Sequence, residues 1–361
     1  MNTDNKMEKR IQKLWQLIEP NPDGMLITSP ENVRYLSGFS GTEGTLIICR
    51  KEGIFLTDGR YTTQAKEQVR NFTPITYKEK WNKIGRIIKK LRIKTLGFES
   101  RNLSVALQHE LGKAAPSITL KPYSEALDML RAVKDAAEIK ILQKAARIAS
   151  ESLREVVAFI KPGVREIEIA AELEYRMRKK AGEATAFHTI VASGFRSALP
   201  HGIASDKKIK KGEFVIIDYG LIYQGYCSDE TCTFVVGPPN KKQKNIYETV
   251  KKAHDLAIKA VAPGKSLKEI DAVARTRINK SGYGRYFSHG TGHGIGLCVH
   301  EPPVVSFRSK GKIKKGMVFT IEPGIYLPKW GGVRIEDTVV VKTGGCERMT
   351  LSDKSLKSVG I

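Results

Sequence analysis

Two segments of the chain repeat each other, and each places an acidic residue where an apolar strand ends. The first segment covers residues 209–220 and carries Asp218, and the second covers 313–324 and carries Glu322. The two acids are 104 residues apart, the same offset that separates the first residues of the segments. An unpaired buried carboxylate is heavily penalised. Two copies that end alike therefore predict a duplicated unit whose acids meet at one site.

The sequence after Asp218 predicts a hairpin that brings in a second acid. The chain turns near residues 223–225 and returns through residues 226–234, which include Asp229. With the turn centred between Tyr223 and Gln224, Asp218 lies directly opposite Asp229. Opposite residues of antiparallel strands have Cβ atoms about 4.5–5.5 Å apart, where like charges are destabilising.

The second copy predicts the same arrangement. After Glu322 the chain crosses a Pro- and Gly-containing turn at 328–332 and returns to Glu336, which pairs with Glu322 about Lys329. For one acid, a solvated strand face is the ordinary explanation. Four acids placed in register by a repeat instead predict a shared cation.

Four histidines fall in two glycine-containing settings that span the same distance. His201 lies seven residues after Gly194, and His300 lies seven residues after His293, with His289 just upstream. Glycines punctuate residues 290–296, which excludes a helical zinc site of the His-Glu-x-x-His kind. No Lys-Ser/Thr follows, as a phosphate loop requires. We expect these glycines to let the backbone approach a substrate closely.

One imidazole and four carboxylates form a mostly oxygen ligand set. Such a set suits a pair of divalent ions such as Mn²⁺, Co²⁺ or Fe²⁺. Two ions can bridge a water, lower its pKa and stabilise the oxyanion that forms on attack, and nearby histidines can donate protons. The set predicts amide hydrolysis without identifying the substrate.

The elements that must position these residues fall into two regions. Residues 1–125 alternate short strands (24–28, 45–49, 54–57 and 95–99) with helical stretches, which predicts a small α/β domain. Residues 126–361 contain a helix-helix-strand-strand unit written twice, which predicts an α+β domain with pseudo-twofold symmetry. Its predicted helices cover about 135–160, 166–180, 244–261 and 267–280, the first opening with a capping box at Asp135 and Glu138.

Composition narrows the function classes. The net charge of the 361 residues is +23, so we weighed nucleic-acid binding, but the lysines lie in separate turns and helices without aromatic interleaving, which favours a solvated surface. Five cysteines without a Cys-x-x-Cys pair predict a reduced, cytoplasmic protein. The polar first residues lack the apolar core of a signal peptide, and no apolar run predicts a membrane span.

Taken together, the motifs resemble the pita-bread metallopeptidases, in particular the aminopeptidase P and prolidase branch. The resemblance covers nearly the whole chain, and residues 35–39 and 57–61 are similar to the creatinase-like N-terminal domain of this branch. The matching catalytic motifs contain Pro200-His201-Gly, Asp218-Tyr-Gly, Ser228-Asp229-x-Thr231, His289-Gly-Thr-Gly-His293, Val299-His300-Glu, Glu322-Pro-Gly and Arg334-Ile-Glu336-Asp337.

The resemblance implies a dinuclear metal site and a role for each motif residue. Asp218 would chelate one metal, His293 and Glu322 would hold the other, and Asp229 and Glu336 would bridge both. Glu322 would also shuttle the proton. The substrate would be contacted by His201, His289 and His300, and the ligand network would be steadied by Arg334. The implied metal is Mn²⁺, with Co²⁺, Fe²⁺ or Zn²⁺ as alternatives.

The implied reaction is hydrolysis of Xaa-Pro bonds in peptides with proline in the second position. We favour an Xaa-Pro aminopeptidase, with a dipeptide-restricted prolidase as the alternative and a non-catalytic nucleic-acid- or protein-binding relative as a remote one. A homodimer or tetramer is also implied. Cys232 departs from the arginine that often follows Ser-Asp-x-Thr. Because strand alternation turns Cys232 away from Asp229, we expect metal binding to be intact.

Overall fold

The computed structural model describes residues 3–360 and divides into two compact units, Met1–Arg131 and Ala132–Ile361. The boundary predicted from the sequence, between residues 125 and 126, falls at the start of the helix that leads to the second unit. Among the described residues, no helix combines the length and hydropathy needed to cross a membrane.

The first unit is the predicted α/β domain. Its six strands form one mixed sheet in the order β4-β3-β2-β1-β5-β6, and apolar residues of α4 pack in one core cluster with residues of the sheet. The strands are β1 Gly24–Ile27, β2 Thr45–Cys49, β3 Gly53–Asp58, β4 Thr73–Tyr77, β5 Thr95–Glu99 and β6 Thr119–Tyr123; the helices are α1 Thr3–Leu17, α2 Pro30–Ser37, α3 Thr62–Gln68, α4 Lys80–Lys90, α5 Val105–Ala114 and α6 Ala126–Ala132.

Within the described residues, the second unit holds two main antiparallel sheets and four α-helices. One sheet has the order β20-β12-β9-β8, with β20 joining in parallel, and the other has the order β14-β13-β15-β18-β19. The helices are α7 Ala136–Val156, α8 Glu166–Lys179, α9 Lys241–Ala260 and α10 Leu267–Lys280. The strands are β7 Ala184–Thr185, β8 Ile190–Ser193, β9 Phe214–Tyr219, β10 Leu221–Tyr223, β11 Tyr226–Cys227, β12 Glu230–Val236, β13 Gly292–Gly294, β14 Glu301–Val305, β15 Val318–Ile321, β16 Gly324–Leu327, β17 Gly331–Arg334, β18 Asp337–Lys342, β19 Gly345–Arg348 and β20 Lys357–Val359.

Backbone contacts at equivalent positions show the predicted internal repeat. The turns after α7 and α9 contain Gly163 and Gly264, with φ angles of 91° and 86°. The amide of Gly163 donates to the carbonyl of Ile209, and that of Gly264 donates to the carbonyl of Ile313, each at 2.9 Å. In each half, the turn between the paired helices is therefore bound in the same way to the segment that leads into the next strand, β9 or β15.

Capping explains where the helices begin. Asp135 and Glu138 form the predicted capping box at the start of α7. The sequence predicted the third helix from Lys244, but α9 starts three residues earlier, at Lys241. Asn240 and Gln243 form a capping box there, which satisfies backbone amides that would otherwise lack acceptors.

The predicted register of the first hairpin is wrong by two residues. Gln224 and Gly225 form a two-residue turn with φ angles of 48° and 76°, the positive values that a type I′ hairpin turn requires. The turn is therefore centred one residue later than predicted, and Asp218 pairs with Thr231 rather than with Asp229. Because a two-residue shift preserves side-chain alternation, Asp218 and Asp229 still share a face of the sheet.

The predicted register of the second hairpin is confirmed. Ile321 pairs with Asp337, and the hairpin beyond is centred on Lys329, whose φ is 63°. Glu322 and Glu336 directly follow and precede this pair, so they face each other where β15 ends and β18 begins.

Candidate active site and metal centre

Three of the predicted metal ligands converge closely. Asp229 precedes β12, Glu336 precedes β18, and His293 lies in β13. One ligand atom from each lies within 4.8 Å of the others. The pseudo-symmetric halves thus bring together Asp229 and Glu336, which are more than a hundred residues apart in the chain.

The second unit places Glu322 beside the same histidine. His293 Nε2 lies 3.3 Å from Glu322 Oε1 and 3.6 Å from Asp229 Oδ2. The other ring nitrogen of His293, Nδ1, donates to the carbonyl of Gly294 at 3.2 Å. This bond leaves Nε2 as the nitrogen directed at the carboxylates. Thr320 Oγ1 donates to Glu322 Oε1 at 3.1 Å, which fixes that carboxylate.

Arg334 holds Asp218 at the edge of the cluster. Its Nη2 donates to Asp218 Oδ2 at 2.7 Å, its Nη1 donates to the Tyr326 hydroxyl at 2.9 Å, and its Nε donates to Thr231 Oγ1 at 3.1 Å. Arg334 is only 3% exposed. The guanidinium is therefore fixed on several sides, as expected of a residue that orients its neighbours rather than reacting.

The electrostatics of the cluster show strong mutual repulsion. Burial raises the pKa of Asp229 well above its usual range, and Glu336, Asp218 and Glu322 raise it further. The pKa of Glu336 is raised in the same way, first by burial and then by Glu322 and Asp218. Burial also lowers the pKa of His293, which favours the neutral imidazole that a metal ion requires.

The remaining predicted site residues line the same cavity as the acids. This cavity has a volume of about 480 Å³, within the usual range for small-molecule sites. Its walls combine the predicted residues with apolar side chains: His201, Asp218, Asp229, His289, His293, His300, Glu322, Arg334 and Glu336 alternate with Phe187, Ile190, Ile203, Val299 and Val304. All predicted site residues are thus brought to one cavity.

Residues 140–343 match the family described as Metallopeptidase family M24, and residues 10–133 match the Creatinase/Prolidase N-terminal domain. The chain belongs to metallopeptidase family M24. It is a peptidase hydrolase with the pita-bread fold and the N-terminal domain that the sequence predicted.

Relatives of this M24 peptidase match it over almost the full length. An Xaa-Pro dipeptidase of Pyrococcus horikoshii is 43% identical over 97% of this chain and 99% of its own. The solved structure of an Xaa-Pro dipeptidase from Bacillus anthracis has a TM-score of 0.96 at 41% identity and covers 98% of this chain and 100% of its own. That of an X-Pro aminopeptidase from Thermotoga maritima has a TM-score of 0.90 at 38% identity, with coverages of 96% and 100%.

The residues of this M24 peptidase fit divalent metal ions. Among the described residues, the buried Oδ1 atom of Asp218 has no hydrogen-bond partner, although Oδ2 is held by Arg334. The converging donors of Asp229, His293 and Glu336 are carboxylate oxygens and one imidazole nitrogen, which suit hard-to-borderline divalent ions. The family membership implies such ions, and the donor types that converge here are compatible with them.

The three histidines predicted to contact the substrate differ in how far their rings are already engaged by other residues. His289 Nδ1 donates to the carbonyl of Gly290 at 2.7 Å, and its Nε2 accepts from the hydroxyl of Tyr326 at 2.9 Å, so both nitrogens are engaged. His300 lies with its ring centroid 4.2 Å from that of His293. His201 is exposed at the cavity wall.

Tyr326 is a site residue that the sequence reasoning missed. Its hydroxyl joins His289 to Arg334, and burial raises its pKa to about 12. The register predicted for the second hairpin, which is correct, already contained a signal for it. Gly324 pairs with Arg334, and Tyr326, two residues along, shares the strand face of Gly324.

Two of the glycines near His293 allow neighbouring backbone segments to pack closely against them. A Cβ atom at Gly292 would lie 1.9 Å from the carbonyl oxygen of Thr320, and one at Gly294 would lie 2.2 Å from that of Pro302. At these two positions the missing side chain makes room for neighbouring strands. Gly290 and Gly292 also line the cavity, so the predicted close approach of the backbone to a substrate stays a prediction.

Proposed function

We propose that this M24 peptidase is an Xaa-Pro dipeptidase that hydrolyses the amide bond before a C-terminal proline. The observation that carries the proposal is the convergence of Asp229, His293 and Glu336, with Asp218 and Glu322 beside them, on a cavity lined by four further histidines. The specificity is supported by relatives named Xaa-Pro dipeptidase in Pyrococcus horikoshii and Pyrococcus furiosus, which are 43% and 42% identical.

Two divalent ions, foremost Mn²⁺, would be held by Asp218, Asp229, His293, Glu322 and Glu336. When bound, they would supply Lewis-acid polarisation of the scissile carbonyl and activation of a water. Glu322 would take the proton of the attacking water at a carboxylate oxygen and deliver it to the leaving proline nitrogen.

The other residues of the cavity would bind and orient the substrate. His201 and His300 can donate N–H groups to the peptide carbonyl or to the proline carboxylate. Tyr326 and Arg334 would fix His289 and Asp218 in place through the hydrogen bonds described above. The apolar side chains Ile203 and Val304 would contact the proline ring and limit access of bulk water.

An Xaa-Pro aminopeptidase is the second candidate, and it is the reading that the sequence favoured. It is supported by the likeness to the X-Pro aminopeptidase structure from Thermotoga maritima. The two candidates differ in whether residues may follow the proline.

The test is hydrolysis of Ala-Pro and of Ala-Pro-Ala by Mn²⁺-reconstituted protein, with an EDTA-treated control. We expect cleavage of the dipeptide and at least about tenfold weaker kcat/KM on the tripeptide. Preference for the tripeptide would replace the proposal with the aminopeptidase. Failure to cleave either substrate with metal bound would reject both. The homodimer and the cytoplasmic location remain predictions, which light scattering and cell fractionation would test.

A further inference from the structure

The two acids proposed to bridge the metals are each followed by another carboxylate on the opposite side of the strand. Glu230 follows Asp229, and Asp337 follows Glu336. Because successive side chains of a strand point to opposite faces, these two acids point away from the cavity. Both are completely buried.

One ammonium group pairs with both of these acids. Lys354 Nζ lies 2.7 Å from Glu230 Oε1 and 3.6 Å from Asp337 Oδ1, and the lysine side chain is only 1% exposed. Glu230 also accepts from the hydroxyls of Ser150 and Tyr219, at 2.6 and 2.7 Å. Lys354 lies between β19 and β20, outside the repeated unit, and reaches strands from both halves.

Hydrogen bonds connect this lysine to the proposed ligands. Lys354 Nζ donates to the carbonyl of Thr231 at 3.3 Å, and the same carbonyl accepts from the amide of Glu336 at 3.2 Å. The hydroxyl of Thr231 donates to Glu336 Oε2 at 2.7 Å. On the other strand, the hydroxyl of Thr338 donates to the carbonyl of Asp229 at 2.8 Å. β12 and β18 are therefore joined at the point where both acids project.

We infer that Lys354 is a positioning residue that sets the separation of the Asp229 and Glu336 carboxylates and thereby the affinity of the site for divalent metal. The inference rests on the proposed metal site. Without the ammonium, Glu230 would be left as a buried charge without its ion-pair partner, and burial of an unpaired charge is strongly unfavourable. Asp337 would keep its contacts with His254 Nε2 at 3.2 Å and Arg348 Nη1 at 3.4 Å but would lose the cation that it shares with Glu230. The strands would have to shift, and the facing carboxylates would shift with them.

The test compares Lys354→Met with Tyr247→Phe in the full-length protein. Tyr247 donates its hydroxyl to the carbonyls of Lys354 and Ser355, each at 3.2 Å. Its loss loosens the same segment while leaving the ammonium in place. Metal-free protein is titrated with Mn²⁺, and free Mn²⁺ is followed by electron paramagnetic resonance. We expect Lys354→Met to weaken Mn²⁺ binding at least about tenfold, and Tyr247→Phe to retain the wild-type Kd although both lower Tm.

The outcomes separate this inference from the proposed function. Failure of the wild-type protein to bind Mn²⁺ would reject the metal site itself. If the wild type binds and Lys354→Met binds equally well, or if Tyr247→Phe loses as much affinity, the positioning role is rejected. Should Lys354→Met not fold, Glu230→Gln keeps the side-chain shape and weakens the ion pair. It is expected to lose Mn²⁺ affinity to a smaller extent, and unchanged affinity would overturn the inference.

Discussion

Acidic side chains lie on both faces of the region where β12 and β18 begin, but their charges are balanced differently on the two faces. The front cluster consists of Asp218, Asp229, His293, Glu322 and Glu336, and the back cluster consists of Glu230, Asp337 and Lys354. In the front cluster, burial and neighbouring carboxylates raise the pKa of Asp229 and Glu336. In the back cluster, burial alone would raise the pKa of Asp337, but Lys354, followed by His254 and Thr350, lowers it to about 2.

The two clusters differ because the protein supplies a cationic side chain to the acids of the back cluster but not to the facing acids of the front cluster. The back cluster has a lysine within 2.7 Å of one of its acids. In the front cluster, Arg334 contacts Asp218, while Asp229 and Glu336 face each other and His293. The protein thus neutralises the acids that hold the strands and leaves the facing acids available for an external cation.

The largest effect is expected from Asp229→Ala in the front cluster. Loss of a proposed bridging ligand should lower hydrolysis of Ala-Pro by more than about a thousandfold, since loss of outer-shell partners alone typically costs 10–100-fold. The variant should stay folded because removing the carboxylate relieves repulsion. Steady-state kinetics and circular dichroism check both points, and near-normal turnover would refute the assignment of Asp229.

The matched change in the back cluster, Glu230→Ala, should lower the free energy of unfolding. Breaking a buried ion pair by removing one partner costs about 3–5 kcal/mol, and here it also removes one acceptor from the hydroxyls of Ser150 and Tyr219. Urea denaturation monitored by fluorescence measures the free energy of unfolding. A loss below about 1 kcal/mol would contradict the structural role of the back cluster.

Metal removal should destabilise the protein through the front cluster alone. A ligand present at a hundred times its Kd stabilises the native state by about 2.7 kcal/mol, so dialysis against EDTA should lower Tm and Mn²⁺ should restore it. In Asp229→Ala, Mn²⁺ should leave Tm almost unchanged. Calorimetry of both proteins with and without Mn²⁺ provides the comparison, and an equal Mn²⁺ shift in the variant would point to binding elsewhere.

The smallest expected effect is a gain in stability. In metal-free protein, Glu336→Gln removes one of the repelling charges while its amide oxygen can still accept from Thr231. We expect the metal-free variant to be more stable than the metal-free wild type by roughly 1 kcal/mol, as measured by urea denaturation. A metal-free variant less stable than the wild type would show that the Glu336 charge contributes to folding.

Local patterns allowed much of this structure to be predicted. The 104-residue repeat and the Pro- and Gly-containing turn around Lys329 placed Glu322 opposite Glu336 correctly. The first hairpin was misplaced because the positive φ of Gln224 is set by the turn and is not apparent from the residue type. The predicted side chains nevertheless lie around one cavity, because a two-residue shift in strand register leaves each side chain on the same face of the sheet.

The back cluster could not be predicted from the sequence. Lys354 is separated by 124 residues from Glu230, and it lies in a segment that neither half of the chain repeats. A lysine in a polar stretch is ordinarily a solvated surface residue. Only the packing of the last segment against β12 and β18 shows that this lysine is buried. Tyr326 was missed for a related reason, since its role depends on its tertiary contacts with His289 and Arg334.

We propose that the front cluster binds divalent metal and that the back cluster does not. Crystals of the full-length protein grown with Mn²⁺, with diffraction collected at the manganese absorption edge, test it directly. We expect anomalous density between Asp218, Asp229, His293, Glu322 and Glu336, and none beside Glu230 and Asp337. Density beside Lys354, or a front cluster without any, would contradict it.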